Sequence, residues 1–175
     1  MSDRIKLNIG SGGTKIPGFI SVDKYYPNAD IKSAADDTGF SENTVSEIYT
    51  SHMIEHLTIE EAILAIKHWY KILHPGGIVN LLCPNAIVYI REWLKHYIDN
   101  DYDQLTGWAV RNLLGWNNKG IGMYNKMLYT PKLLESLFCK VGFKIVSCKV
   151  QSTRVKDIRH IEYRENGDIS LTARK

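Results

Sequence analysis

The sequence predicts a single-domain α/β fold built on a mostly parallel sheet. Short apolar runs alternate with longer stretches of helical periodicity, which is the order that parallel strands and crossover helices produce. The length of 175 residues suits one domain, and a chain of this size buries enough surface to fold without a disulfide or metal. We therefore expect residues 1–175 to form one domain, with a helical or lid segment around 86–128.

Seven segments predict strands, so we expect a seven-stranded sheet whose final strand is antiparallel. Only nine residues, 11–19, separate the first two strands, whereas a parallel crossover usually needs a dozen or more. Nine extended residues reach roughly 30 Å, enough for a return of about 17 Å. The first helix is thus predicted to be missing or one turn long. The predicted strands are residues 5–9, 19–23, 31–35, 48–50, 78–83, 143–150 and 169–173.

Three helices are predicted from their end signals. Thr58 and Glu61 form a capping box ahead of apolar residues at three-to-four spacing, and a Pro-Gly-Gly turn ends that helix. A second amphipathic helix is expected over 87–97. A third begins after Thr130, with proline at its first position, and ends at Gly142.

Composition and charge favour a cytoplasmic protein. The net charge is +3 and the basic residues are scattered, so no nucleic-acid partner is expected. Neither a secretion signal nor an apolar run of about 18 residues is found, so no membrane partner is expected either. Cys83, Cys139 and Cys148 are widely spaced, which favours reduced thiols. The sequence leaves the oligomeric state open.

A glycine loop and an acid are expected at the same sheet edge. Gly10, Gly12 and Gly13 follow the first strand, where the lack of side chains lets the backbone approach a ligand. Asp23 ends the second strand, and its two oxygens suit a ribose diol. The glycines alone are equally consistent with a structural turn. A nicotinamide-dependent oxidoreductase would carry a third glycine, a helix and an acid about 20 residues on, and Asp23 comes too soon.

Four segments resemble, in order and spacing, motifs of the class I S-adenosylmethionine-dependent methyltransferases. These are residues 7–12, 18–23, 48–57 and 69–77, and the likeness continues through Tyr129-Thr130-Pro131 and Gly142-Phe143. The branch resembled is the small methyltransferases often associated with sugar and polysaccharide biosynthesis. The resemblance implies a Rossmann-like fold, S-adenosylmethionine as cofactor, and methyl transfer to a small-molecule acceptor such as a sugar or polysaccharide precursor.

The resemblance also implies which residues contact the cofactor. The glycine loop would lie against the methionine part, an acid would hold the ribose, a later acid would approach the adenine amino group, and residues after the fourth predicted strand would line the transferable methyl. Gly10, Ser11 and Gly12 would form the loop contact, with Asn8 behind them, and Asp23 would be the ribose acid. Asp36 or Asp37 would be the acid near the adenine. The residues beside the transferable methyl would be Ser51, His52 and Met53. Asn8 departs from the family, since many members carry an acid there.

Histidines are the candidate catalytic groups. If the acceptor is a hydroxyl, a base within hydrogen-bond reach helps to remove its proton. His52 is the first candidate and His56 the second, with Glu55 able to orient either ring. The alternative is structural, with His52 capping a helix and His56 packed as a neutral core residue.

Two other functions fit parts of the sequence. His52-x-x-Glu55-His56 matches the H-x-x-E-H pattern of inverted zinc peptidases, with Glu135 or Glu162 as a further ligand. That interpretation leaves the glycine loop and Asp23 unexplained, so we predict no metal site. A cofactor-binding subunit without turnover is the other alternative, because a fold does not by itself establish activity.

Overall fold

The computed structural model describes residues 5–99, 110, 113–116, 123–150 and 167–175. Six strands form one sheet in the order β2-β1-β3-β4-β8-β7, and two short strands, β5 and β6, pair separately. The strands are β1 Ile5–Ile9, β2 Ile20–Val22, β3 Val45–Ser51, β4 Leu73–Pro84, β5 Gly115–Trp116, β6 Met123–Tyr124, β7 Lys144–Val150 and β8 Asp168–Arg174. Three helices have both ends within the described residues: α1 Ile59–Ile72, α2 Ala86–Ile98 and α3 Pro131–Val141.

The sheet is mixed. Strands β2, β1, β3 and β4 run parallel, and β8 runs antiparallel to both β4 and β7, as predicted for the final strand. Because of this direction, the ends of β1, β2, β3 and β4 and the beginning of β8 lie at one edge of the sheet. We call this the carboxyl edge.

The predicted third strand, residues 31–35, is wrong beyond its first residue. Ile31 makes a single parallel bridge with Val22. After that bridge the chain turns toward α1, where the Trp69 indole N–H donates to the backbone oxygen of Ala35 at 2.9 Å. That bond draws the segment away from β2. The described residues therefore form six strands in this sheet instead of the predicted seven.

Turns join β1 to β2. Residues 10–19 all belong to the described part of the chain, and none of them is helical. The Asn8 side-chain amide donates to the backbone oxygen of Thr14 at 3.1 Å, which ties the loop to β1. On its other side, Lys15 Nζ and the Asp30 carboxylate both bond to the Ser21 hydroxyl, at 2.9 Å and 2.6 Å.

The predicted helix ends are largely confirmed. Thr58 and Glu61 form the reciprocal capping box at the start of α1. Thr130 caps α3, and Gly142 ends it at φ +118°. The end of α1 comes earlier than predicted, because Leu73 already pairs with Val45 and so begins β4.

The core lies between the sheet and the helices α1 and α3. Trp69 is fully buried, and its ring lies 6.4 Å from that of Phe138, which in turn lies 5.2 Å from Phe143. Such tilted aromatic contacts join α1 to α3, and α3 to the residue that precedes β7. Among the described helices, none is both long enough and apolar enough to cross a membrane.

Candidate functional site

The glycine loop is folded onto the end of β2. The backbone N–H groups of Gly10 and Ser11 both donate to the Val22 carbonyl oxygen, at 2.8 Å and 3.2 Å. Gly10 has φ +69° and Gly12 has φ +54°, values that the backbone of residues with a Cβ rarely adopts. The Gly12 N–H donates to Oδ2 of Asp23 at 2.8 Å. The sequence-predicted loop and acid are therefore in direct contact.

Asp23 also organises the chain that follows it. Its Oδ1 accepts the backbone N–H groups of Tyr25 and Tyr26, at 2.8 Å and 3.0 Å. A carboxylate oxygen accepts about two hydrogen bonds, so Oδ2, which takes one from Gly12, retains the capacity for another. The acid is thus held rigidly at the carboxyl edge while it still offers an acceptor to a hydroxyl group.

Met53 covers Gly10 and leaves Gly12 open. A methyl group placed on Gly10 would lie 2.1 Å from Cγ of Met53, an impossible contact. A methyl group on Gly12 would meet no atom within 4 Å. The space over Gly12 is therefore available to a ligand that needs close approach to the backbone.

Two buried hydroxyls at the ends of β1 and β3 have no partner among the described residues. Ser11 and Thr50 are almost fully buried, and within the described part of the chain neither side-chain oxygen has a hydrogen-bond partner. Buried polar atoms are nearly always satisfied, so such a pair marks a place where a ligand or water completes the bonding. Sequence reasoning found Ser11 and missed Thr50, although Thr50 stands directly opposite Ile9 in the sheet.

His52 lies between two buried carboxylates. Its Nδ1 is 3.3 Å from Oε1 of Glu55, and its Nε2 is 3.3 Å from Oδ2 of Asp168. The side chains of Glu55 and Asp168 are 4% and 2% exposed, whereas that of His52 is 32% exposed. We call these three residues the His52 cluster. Asp168, the first residue of β8, was missed by sequence reasoning.

The cluster holds His52 in its charged form. Burial by itself lowers the pKa of His52, but the hydrogen bonds and charges of Asp168 and Glu55 outweigh it and raise the pKa from 6.5 to about 10. At neutral pH the ring is then an imidazolium with both nitrogens directed at carboxylates. A general base must accept a proton, so this geometry speaks against the base role predicted for His52.

His52 also departs from helical backbone. It has φ +50°, and the following residues, Ile54–His56, form a single 3₁₀ turn, not an α-helix. The two histidines of the H-x-x-E-H pattern therefore do not share a helix face. Among the described residues no group of three His, Cys, Asp or Glu side chains could hold a metal ion, and Glu162 lies outside those residues.

His56 contacts the last residue of β6. Its Nδ1 is 3.2 Å from the backbone oxygen of Tyr124. Since a carbonyl oxygen only accepts, Nδ1 carries the proton, and in the neutral ring Nε2 is then an acceptor. The backbone oxygen of Glu55 accepts from Lys126 and Met127 at 2.8 Å and 3.2 Å, which holds the segment after β6 against the 3₁₀ turn.

The remaining predicted contacts occupy two places. Asn8 and Ser51 are buried at the ends of β1 and β3. Asp36 and Asp37 are exposed beside α1, where their charges partly oppose the burial that lowers the pKa of His68. Their predicted contact with adenine stays a prediction.

The fold is that of the S-adenosylmethionine-dependent methyltransferases. Such an enzyme from Methanosarcina mazei matches with a TM-score of 0.65 at 14% identity, covering 100% of this chain and 94% of that one. One from Archaeoglobus fulgidus matches with a TM-score of 0.59 at 16% identity, covering 98% and 86%. The 1,6-didemethyltoxoflavin-N1-methyltransferase of Burkholderia thailandensis, solved with 1,6-didemethyltoxoflavin and S-adenosylhomocysteine, matches with a TM-score of 0.60 at 10% identity, covering 98% and 70%. No family model and no curated protein matches the sequence.

Proposed function

We propose that this chain is an S-adenosylmethionine-dependent methyltransferase that acts on a small-molecule acceptor. The observation that carries the proposal is the direct bond between the Gly12 N–H and Asp23, at the carboxyl edge of a methyltransferase-like sheet. It joins an open glycine backbone to a carboxylate with spare acceptor capacity. A nucleoside bearing an amino-acid tail needs both features.

The residues at the edge fit this cofactor. Asp23 would accept hydrogen bonds from the ribose hydroxyls. The hydroxyls of Ser11 and Thr50, which have no partner in the described part of the chain, would bond the polar methionine end. Gly12 would allow that end to lie against the backbone. The cofactor supplies an activated methyl group, so the protein mainly has to align the acceptor and exclude water.

A base is needed only if the acceptor carries a proton that must leave. His56 is the better candidate, because its Nδ1 faces a carbonyl oxygen, which leaves Nε2 as the nitrogen that can accept a proton. His52 would instead act through its charge. We propose a sugar or polysaccharide precursor as acceptor, on the sequence resemblance alone; the Burkholderia enzyme, with a different small molecule bound, supports only the broader class.

Calorimetric titration with S-adenosylhomocysteine tests the proposal. We expect binding to the wild-type protein and a loss of at least tenfold in Asp23→Asn, since one charged hydrogen bond contributes about 1.5–3 kcal/mol. Asp99→Asn, at the end of α2, is the matched control. Absence of heat with both forms of the cofactor contradicts the proposal. Binding without any methylated product across a broad acceptor panel favours a non-catalytic subunit.

A further inference from the structure

The His52 cluster contains one carboxylate more than its cation requires. An imidazolium is neutralised by a single carboxylate, yet both Glu55 and Asp168 lie 3.3 Å from the ring. With both acids ionised, one positive and two negative charges leave one net negative charge. Burying such a charge is costly, and well-packed apolar residues could hold the turn without it.

Two carboxylate oxygens of the cluster have no hydrogen-bond partner in the described part of the chain. Within the described residues, Oε2 of Glu55 and Oδ1 of Asp168 accept no hydrogen bond although both atoms are buried. The neighbouring Cys83 is also fully buried, and the two carboxylates help to raise the pKa of its thiol well above the ordinary value, which keeps it neutral. The electrostatic field of the cluster therefore extends at least to Cys83.

The cluster lies close to the glycine loop. Gly10 directly follows β1 and His52 directly follows β3, and these two strands are paired neighbours. Met53, the next residue, packs against Gly10 itself. Parallel strands lie about 4.8 Å apart, so the cluster is on the order of 10 Å from a group seated over the loop.

Resting on the proposed function, we infer that the His52 cluster is a specificity determinant that favours the positively charged sulfonium cofactor over its neutral thioether product. Methyl transfer moves the methyl group to the acceptor and leaves the sulfur uncharged, as the electron pair of the broken bond returns to it. The attraction to the cluster then disappears. The cluster in this way strengthens donor binding and promotes product release, with Glu55 and Asp168 acting as its charge-setting residues.

The expected effect is on the order of tenfold. A unit charge about 10 Å from another, at an effective dielectric of about 20, changes affinity by roughly that factor. The wild-type protein should bind S-adenosylmethionine on the order of tenfold more tightly than S-adenosylhomocysteine. Asp168→Asn and Glu55→Gln each remove one negative charge and should bring the two affinities to within about threefold.

The experiment compares both dissociation constants by calorimetry in each variant. Glu42→Gln is the matched control, because this exposed acid precedes β3 at the opposite edge of the sheet and should leave the ratio unchanged. A purely structural role for the acids would weaken both ligands equally and leave the ratio at its wild-type value, which would overturn the inference. If either variant fails to fold, the other carries the test.

The wild-type protein gives an independent readout. If it binds the thioether as tightly as the sulfonium or more tightly, the inference is wrong while the proposed function stands. If it binds neither, the proposed function fails, and the inference fails with it. The two failures are thus distinguishable.

Discussion

Two alanine substitutions in the glycine loop separate its structural part from its ligand-facing part. Gly10 and Gly12 both have positive φ, so alanine at either position costs about 1–2 kcal/mol in the left-handed region. Only at Gly10 would the new methyl group also overlap another residue, since it would lie 2.1 Å from Cγ and 2.6 Å from Cβ of Met53.

The magnitudes follow from these contacts. Overpacking costs about 1–3 kcal/mol, so Gly10→Ala should lower the free energy of unfolding by about 2–5 kcal/mol in total. At about 2–4 °C per kcal/mol for a chain of this size, the melting temperature should fall by roughly 4–20 °C. Gly12→Ala should cost only about 1–2 kcal/mol, because its methyl group meets no atom within 4 Å.

For ligand binding, the informative substitution is the one at Gly12. The methyl group of Gly12→Ala would occupy the space that we assign to the cofactor, so the affinity for S-adenosylhomocysteine should fall at least tenfold in a protein that remains folded. Urea unfolding and calorimetry measure the two effects. Equal destabilisation by both substitutions would refute the packing of Met53 on the loop. Unchanged affinity in Gly12→Ala would refute the ligand assignment.

Three further predictions concern charge and helix ends. The folded pKa of His52 is about 10, above its unfolded value of 6.5, so its stabilising contribution is complete below about pH 6.5 and is lost as pH rises through 10. The NMR signals of its ring should therefore not titrate between about pH 5 and 8. A midpoint near 6.5 would contradict the cluster geometry. Hydrogen bonds from Lys15 and Ser21 lower the pKa of Asp30, so Asp30→Asn should reduce thermal stability at pH 7. The difference in melting temperature between wild type and variant should shrink only below about pH 4. A difference that stays constant down to pH 1 would argue against this. Thr58→Ala should lower the free energy of unfolding by about 1 kcal/mol in urea, and no change would mean that the cap is unimportant.

The sequence predicts those parts of the fold that depend on local chemistry. The capping box at Thr58 and the glycine end of α3 at Gly142 involve residues within one turn of each other, so their patterns are sufficient. The glycine loop and Asp23 could also be predicted, because parallel strands place successive strand ends at one edge.

Long-range competition explains what the sequence could not predict. The segment after Ile31 has the pattern of a strand, but the indole of Trp69 binds Ala35 and diverts it. In the sequence, Asp168 follows Gly167 and looks like an ordinary strand-end acid. Only the antiparallel return of β8 beside β4 brings it to His52. No local signal identifies such a pair.

The way β1 connects to β2 bears on the kind of nucleotide that the edge accepts. Dinucleotide folds place a pyrophosphate at the N-terminus of the helix after the glycine loop, where the helix dipole favours anions. Here residues 10–19, all within the described chain, form turns that Asn8 fastens from behind, so that dipole is absent. The loop instead bonds to the carboxylate of Asp23, and the His52 cluster adds a net negative charge nearby. A phosphate would be repelled at this edge, whereas a nucleoside that carries a positive sulfur would be attracted.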